Sequence, residues 1–432
     1  MKSGKHPSNS SGSSQSTAAS SHAPQEQSFQ ISAPTISLPK GGGAIRGMGE
    51  KFAANPVTGT GSMSVPIATS PGRGGFGPQL SLSYDSAAGN GPFGFGWSLS
   101  LPAITRKTDK GLPRYQDGQE QGPDSDVFIL SGAEDLVPVY RQDQDGSWVA
   151  AHSGYQRDLN GFWVRDRTGQ LVIHEDERDG YRVRRYGPRI EGLFARIERW
   201  TNSTDPGDTF WRSISKDNIT TWYGKTRQSR ITDPSDQTHS FSWLICESYD
   251  DKGNAIVYEY KPEDSADVNT SQANERNRVR TVNRHLKRIK YGNRVSRLVQ
   301  PDLTQASWMF EVVFDYGDHD LDVPLRDEAG RQWRVRQDPF SSYRAGFEVR
   351  TYRLCRRVLM FHHFTELGVT PCLVRSTDLH HAQSPVGSFL TSVAQSGYKR
   401  KPDGTYLKNS LPPVEFTYSK ATIQEQVHEV DA

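Results

Sequence analysis

Residues 41–102 read GGGAIRGMGEKFAANPVTGTGSMSVPIATSPGRGGFGPQLSLSYDSAAGNGPFGFGWSLSLP, and this stretch limits the chain more than any other. Glycine recurs throughout it without a fixed period, and each glycine inside a helix costs about 1 kcal/mol relative to alanine. Long helices are therefore excluded here. Between the glycines lie short runs with a period of two: SMSVPI (62–67), LSLSY (80–84) and WSLSL (97–101). That alternation marks half-buried strands. Phe76, Tyr84, Phe93, Phe95 and Trp97 sit among the glycines. The segment reads as short strands joined by tight turns.

The same grammar continues downstream. Runs 126–130 and 134–139 flank a Ser-Gly turn, 161–165 and 170–174 flank Thr168-Gly169, and 181–186 follows Asp179-Gly180. Glycine after a small polar residue supplies the positive φ that hairpin turns need. From 194 to 316 the rhythm turns repeat-like. Tyr249-Asp250-Asp251-Lys252-Gly253-Asn254, followed by a strand, resembles one RHS or YD unit, with echoes at Tyr291-Gly292-Asn293 and Tyr316-Gly317-Asp318. The markers keep no strict period. Residues 262–277 and 400–409 read as linkers. Short helices are expected at 361–367 and 376–382 only.

Residues 1–28 hold ten serines and no large apolar residue after Met1. Nothing there offsets the ordering cost of about 1–2 kcal/mol per residue, so a disordered tail is expected. Among 432 residues, charged residues make up 24% and the formal net charge is +2, which gives no general attraction to nucleic acid or anionic membrane. No apolar run approaches the roughly 20 residues of a membrane span. The N-terminus lacks the apolar core of a signal peptide. Cys246, Cys355 and Cys372 form no metal-ligand spacing and read as buried free thiols, with a Cys355–Cys372 bridge left open.

Few groups suggest chemistry. Gly89-Asn90-Gly91-Pro92-Phe93-Gly94 matches the GxGxxG spelling, but a strand follows it where the dinucleotide fingerprint needs a helix, so it reads as a turn. The Gly72–Gly75 loop lacks the Gly-Lys-Ser/Thr of a phosphate loop. His362-His363 and His380-His381 are adjacent pairs whose members diverge, which suits packing or surface roles better than zinc. Residues 276–297 carry nine lysines and arginines and no acid. Arg276, Arg278 and Arg280 alternate as on one strand face, either solvated or presented to a partner. No Gly-x-Ser-x-Gly appears.

Longer phrases carry a family resemblance. LPKGGGAIRGMGEKFAANPVTGTGSMSVPI, FGPQLSLSYDS, GNGPFGFGWSL, SDVFILSGAEDLVP, GFEVRTYRLCRRVLMFHHF and PPVEFTYS resemble the SpvB-type N-terminal domain of the Tc insecticidal toxin complex B component (TcdB/TcaC-like), over roughly residues 31–420. The resemblance implies an all-β fold of large, irregularly wound antiparallel sheets, part of an RHS-like shell. It implies a disordered tail at 1–30, a glycine- and aromatic-rich β segment at 31–193, a continuous second β segment at 194–420, and a C-terminal tail at 421–432. The implied function is structural: a wall that encloses a toxic cargo. The implied partners are the remaining B-component segments, the C component with its RHS repeats, and the pore-forming A component through a propeller that this sequence does not contain. The chain therefore reads as a fragment or as one piece of an assembly. No nucleic acid, membrane insertion, cofactor, metal or catalytic residue is expected. Release without a signal peptide, after a cytoplasmic stage, is the expected route. Some toxins with this domain carry an ADP-ribosyltransferase on a separate domain, and Glu175-Asp176-Glu177 fits that enzyme's Glu-x-Glu pattern. No Ser-Thr-Ser strand precedes it, and it reads as a solvated hairpin loop. A carbohydrate- or surface-binding β module and a hidden transferase using Glu175 and Glu177 are the rivals.

Overall fold

A computed structural model describes residues 48–54, 61–117, 126–130, 135–140, 156–157, 163–164, 174–190, 192, 194–328, 330–368 and 370–419. Among them there is no α-helix, only four short 3-10 turns between strands. Eight strands close into an antiparallel ring. In order around it they are Ala103–Arg106, Phe128–Leu130, Asp135–Pro138, Tyr181–Pro188, Arg196–Asn202, Thr209–Ile214, Thr220–Tyr223 and Ser240–Tyr249, which pairs back to the first. A ring of this size is filled by its own side chains. Phe128, Tyr186, Trp211 and Trp243 meet edge to face inside, with centroids 4.9–6.0 Å apart. Each large ring buried here removes 150–250 Å² from water, a gross gain of roughly 4–6 kcal/mol.

The ten-residue strand Ser240–Tyr249 belongs to two structures at once. It closes the ring, and through Glu247–Tyr249 it also pairs with Ala255–Pro262. From there the sheet runs on through Arg284–Asn293, Trp308–Asp315, Arg357–His362, Cys372–Ser384, Gly387–Arg400 and Tyr406–Ser410, each antiparallel to the last. A smaller sheet of Lys51–Ala54, Gly61–Ile67, Leu80–Asp85 and Trp97–Leu99 joins this core through Val65, Ile67, Leu80, Leu82 and Trp97. The Tyr291 hydroxyl donates to Ser70 O at 2.6 Å, and Gln395 Nε2 donates to Pro66 O at 3.1 Å. The glycine-rich segment is thus a lid of strands over the long sheet.

The repeat-like markers have a shared mechanism. Tyr223, Tyr291 and Tyr316 are buried at strand ends, and each is followed by a glycine of positive φ. A Cβ on Gly224 would stand 2.3 Å from Trp243 Cδ1, and one on Gly292 would stand 2.8 Å from Phe310 Cδ2. Only glycine lets the chain turn while an aromatic packs onto its backbone. In the YD unit, Asp250 accepts from the backbone N–H groups of Lys252 and Asn254 and from Asn254 Nδ2. Asn293, from the next echo, bridges Gly253 O and Ala255 N, which locks the two turns together.

Several expectations are corrected. Residues 376–382 lie inside the strand Cys372–Ser384, bulged at His380/His381. Residues 361–362 end the strand Arg357–His362, and only Thr365–Leu367 form a 3-10 turn. Residues 406–409 are part of a strand, leaving a short turn at 401–405. The 263–277 stretch lacks strands but is no loose linker, because Glu263 and Glu275 are buried in it. The 128–130 and 135–138 strands pair as expected. Trp163–Val164 pairs with Gln156–Arg157, and residues 165–173 lie outside the described residues, as do the tails at 1–30 and 421–432.

Candidate functional site

The Glu-x-Glu trio is a strand. Glu175–Arg178 pairs with Tyr181–Pro188 around Asp179-Gly180, so the expected hairpin is present but the acids form one arm of it. The register sets Glu175 opposite Arg184 and Glu177 opposite Arg182, and Glu175 Oε2 accepts from Arg184 Nε. Cross-strand pairing of unlike charges is the sheet's ordinary stabilising contact. Asp176 points the other way and accepts from Arg178 Nη2 at 2.8 Å. Burial alone would raise its carboxyl, but Arg178, His174 and Arg185 outweigh that and hold it low.

The GxGxxG segment is a peg. Asn90–Gly91 pairs with Gly94–Phe95 in a miniature hairpin, with no helix after it. Arg336, fully buried, donates to Gly91 O at 2.8 Å and to Asn90 Oδ1 at 2.7 Å. Asp338 takes Asn90 Nδ2 at 2.6 Å and the Arg336 Nε at 2.8 Å. Cys355 N and His381 Nε2 bond to Pro92 O and Phe93 O on the same turn. Asn90, Gly91, Pro92 and Phe93 thus spend these polar groups on protein contacts.

The histidine pairs diverge as expected. His362 bonds Ser70 Oγ at 2.7 Å, while His363 bonds Glu311 Oε2 at 3.0 Å. His380 is exposed and His381 is turned inward, where burial pushes its ring down to about 4. Among the described residues no three metal-ligating side chains come together. Cys246, Cys355 and Cys372 are free and buried, and burial pushes the Cys246 and Cys355 thiols up, away from reactivity.

The basic run is not a strand at its start. Arg276 lies in a turn and residues 278–280 are irregular, and acids from elsewhere meet most of the cations. Arg278 pairs with Glu348, Lys287 with Asp318, Arg288 with Glu311 and Asp327, Lys290 with Glu259, and Arg297 with Glu247. The aromatic face on the ring's outer surface is also closed. Trp200, Phe210 and Trp222 are buried, and Arg212 lies over both indoles at 4.9 and 5.3 Å, so no open sugar-stacking platform is offered there.

What sequence reasoning missed is a lattice of buried ion pairs. Glu263, fully buried, accepts from Arg353 Nε at 2.7 Å and Tyr352 N at 3.0 Å, and bonds His285 Nε2 at 3.0 Å. Arg353 also reaches Trp333 O and Ala266 O, and its guanidinium lies 4.4 Å from the Trp333 ring. Glu275 holds Arg350, and Asp315 accepts from Arg357 Nε at 2.7 Å. In the ring, Asp117 takes both Arg106 and Arg199. Burial would raise the Asp117 carboxyl, but the two guanidiniums hold it well below the usual range, and Glu263 is held low by His285 and Arg353 in the same way. These acids are saturated, so the lattice pins the irregular 263–283 and 316–356 segments onto the sheet. The only hint in sequence is the arginine density of 350–357.

Known proteins share this fold. Residues 55–364 match the family model described as Salmonella virulence plasmid 65kDa B protein. The mono(ADP-ribosyl)transferase SpvB of Salmonella choleraesuis (strain SC-B67) is 36% identical over 381 residues, covering 85% of this chain and 58% of that protein. The chain thus spans little more than half the length of such relatives. The solved N-terminal domain of the effector SpvB from Salmonella typhimurium strain LT2 matches with a TM-score of 0.64 at 34% identity, over 78% of this chain and 98% of that one. The structure of TcdB2-TccC3 matches with a TM-score of 0.68 at 33% identity, over 90% of this chain and 18% of that one. The family model matched over residues 55–364, together with 36% identity to a relative across 85% of the chain, makes this chain a member of the SpvB family.

Proposed function

We propose that the chain is a non-catalytic wall segment of a toxin-delivery assembly, contributing β-sheet to a shell that encloses a cargo. One observation carries this reading. The long sheet ends on Tyr406–Ser410, which pairs only with Gly387–Arg400 among the described residues and has four of its five residues exposed. An edge of free N–H and C=O groups invites a further strand. The match to less than a fifth of the TcdB2-TccC3 chain supports the same view, since there the shared fold is one part of a larger body. The saturated carboxylates and buried thiols favour an inert role. The partners are then the other toxin-complex components: the remaining B segments beyond the open edge, a C component with RHS repeats, and a pore-forming A component. Residues 31–193 and 194–420 act as one continuous unit.

Sedimentation of the chain across a wide concentration range tests this. Reversible self-association, or association with strands of a toxin-complex component supplied in trans, is expected. A well-folded monomer that stays monomeric at high concentration and ignores added strands contradicts it.

A further inference from the structure

One arginine of the basic run has no carboxylate partner among the described residues and yet is largely buried. Arg284 Nη1 donates to Thr281 O at 2.6 Å, Val282 O at 3.0 Å and Asn283 O at 3.1 Å, which fixes the guanidinium plane. Its Nε is buried without a partner. It lines a cavity of about 290 Å³ whose wall also includes Arg227, Arg230, Thr232, Gln237 and Thr281.

We propose that this cavity binds a tetrahedral oxyanion, a phosphoryl or sulfuryl group, with Arg284 and Arg227 as its charged partners. The charge count of the wall supports this. Arg230 is neutralised by Asp208 at 2.6 Å and spends further donors on Gly224 O and Gly207 O. Arg227 is 71% exposed and only loosely paired with Asp205 at 3.6 Å. Asp233 and Asp236 turn back into their own loop, accepting from Ser235 N and Thr238 N. Positive charge is therefore left over on the wall, and among the described residues no carboxylate lines it. Gly207 brings the loops close, since a Cβ there would stand 3.0 Å from Gln237 O. A planar guanidinium with free donors matches oxyanion geometry, and a buried cation without a counter-ion gains from one. Burial lowers the Arg284 pKa.

The test is calorimetric titration of the full chain with inorganic phosphate and inorganic sulfate, followed by a sugar phosphate and a sulfated sugar to separate the two sources. Saturable one-to-one binding that weakens with added sodium chloride is expected, at least about tenfold weaker in Arg284→Gln and in Arg227→Gln. Arg227 is exposed, so its variant decides the matter should Arg284→Gln fail to fold. Absence of saturable binding at about 10 mM of either ion, or affinity unchanged in a folded variant, overturns the proposal.

Discussion

At the scale of single residues, most polar groups that looked like chemistry are structural contacts. Glu175 and Glu177 serve a hairpin, so the double variant Glu175→Gln/Glu177→Gln should show the same background NAD turnover as the parent, with stability changed by no more than about 0.5 kcal/mol. Turnover in the parent that disappears in the variant would establish the transferase reading. Arg353→Met leaves Glu263 buried with one partner fewer and should cost roughly 3–5 kcal/mol in urea unfolding. His381 sets a pH dependence. Burial holds its folded ring at about 4, whereas the unfolded ring titrates near 6.5. Below about pH 6.5 the unfolded chain takes up a proton that the folded ring refuses. The His381 contribution is therefore whole above that pH and is lost as pH falls toward 4, roughly 3 kcal/mol in all. His381→Gln should flatten unfolding free energy against pH in that window, and an unchanged slope would remove His381 from the account. The sequence showed that these residues lacked catalytic company, because each enzyme pattern was missing a required neighbour. It did not show their partners. Glu263 and Arg353 lie 90 positions apart, and nothing local links an acid in a polar stretch to one arginine among several.

At the scale of elements, glycine and alternation were enough to locate strands. LSLSY, the Asp179-Gly180 hairpin and the Tyr-Asp-x-x-Gly-Asn unit all carry their turn chemistry in a few adjacent residues, and the structure uses it as written. The misread elements have particular causes. Ser376, Thr377, Asp378 and Leu379 are buried in succession and the register slips at Val374 and opposite Thr391, so 372–384 keeps no clean period of two, and a broken period of two resembles a helix. The 263–277 stretch looked like a linker because its anchors are acids, and a buried acid has the same letters as a solvated one. The edge strand offers the element-scale prediction. Leu407 is 52% exposed there, and Leu407→Lys should weaken any self-association in sedimentation while leaving the thermal midpoint within experimental scatter. Equal association in both proteins would move the contact elsewhere.

At the scale of the whole molecule, the fold class was legible from the family phrases and from glycine density together, but closure was not. The ring depends on Ala103–Arg106 returning to Ser242–Leu244, about 140 residues later, and on Asp135–Pro138 returning to Tyr181–Pro188. Both junctions are pairings between strands that neither periodicity nor turn residues connect. Ser240–Tyr249 then carries the sheet outward from the ring, so one chain holds a closed core and an open margin. That combination is what a wall piece requires, a self-supporting body with a defined place to be continued. The most direct measurement is electron cryo-microscopy of the particle formed when this chain is co-expressed with other toxin-complex components, a B component's further segments and a C component. The account predicts this chain in the wall of a hollow β body, with Tyr406–Ser410 paired to a neighbouring strand. A particle that forms without it, or that leaves it outside with that edge still bare, contradicts the account.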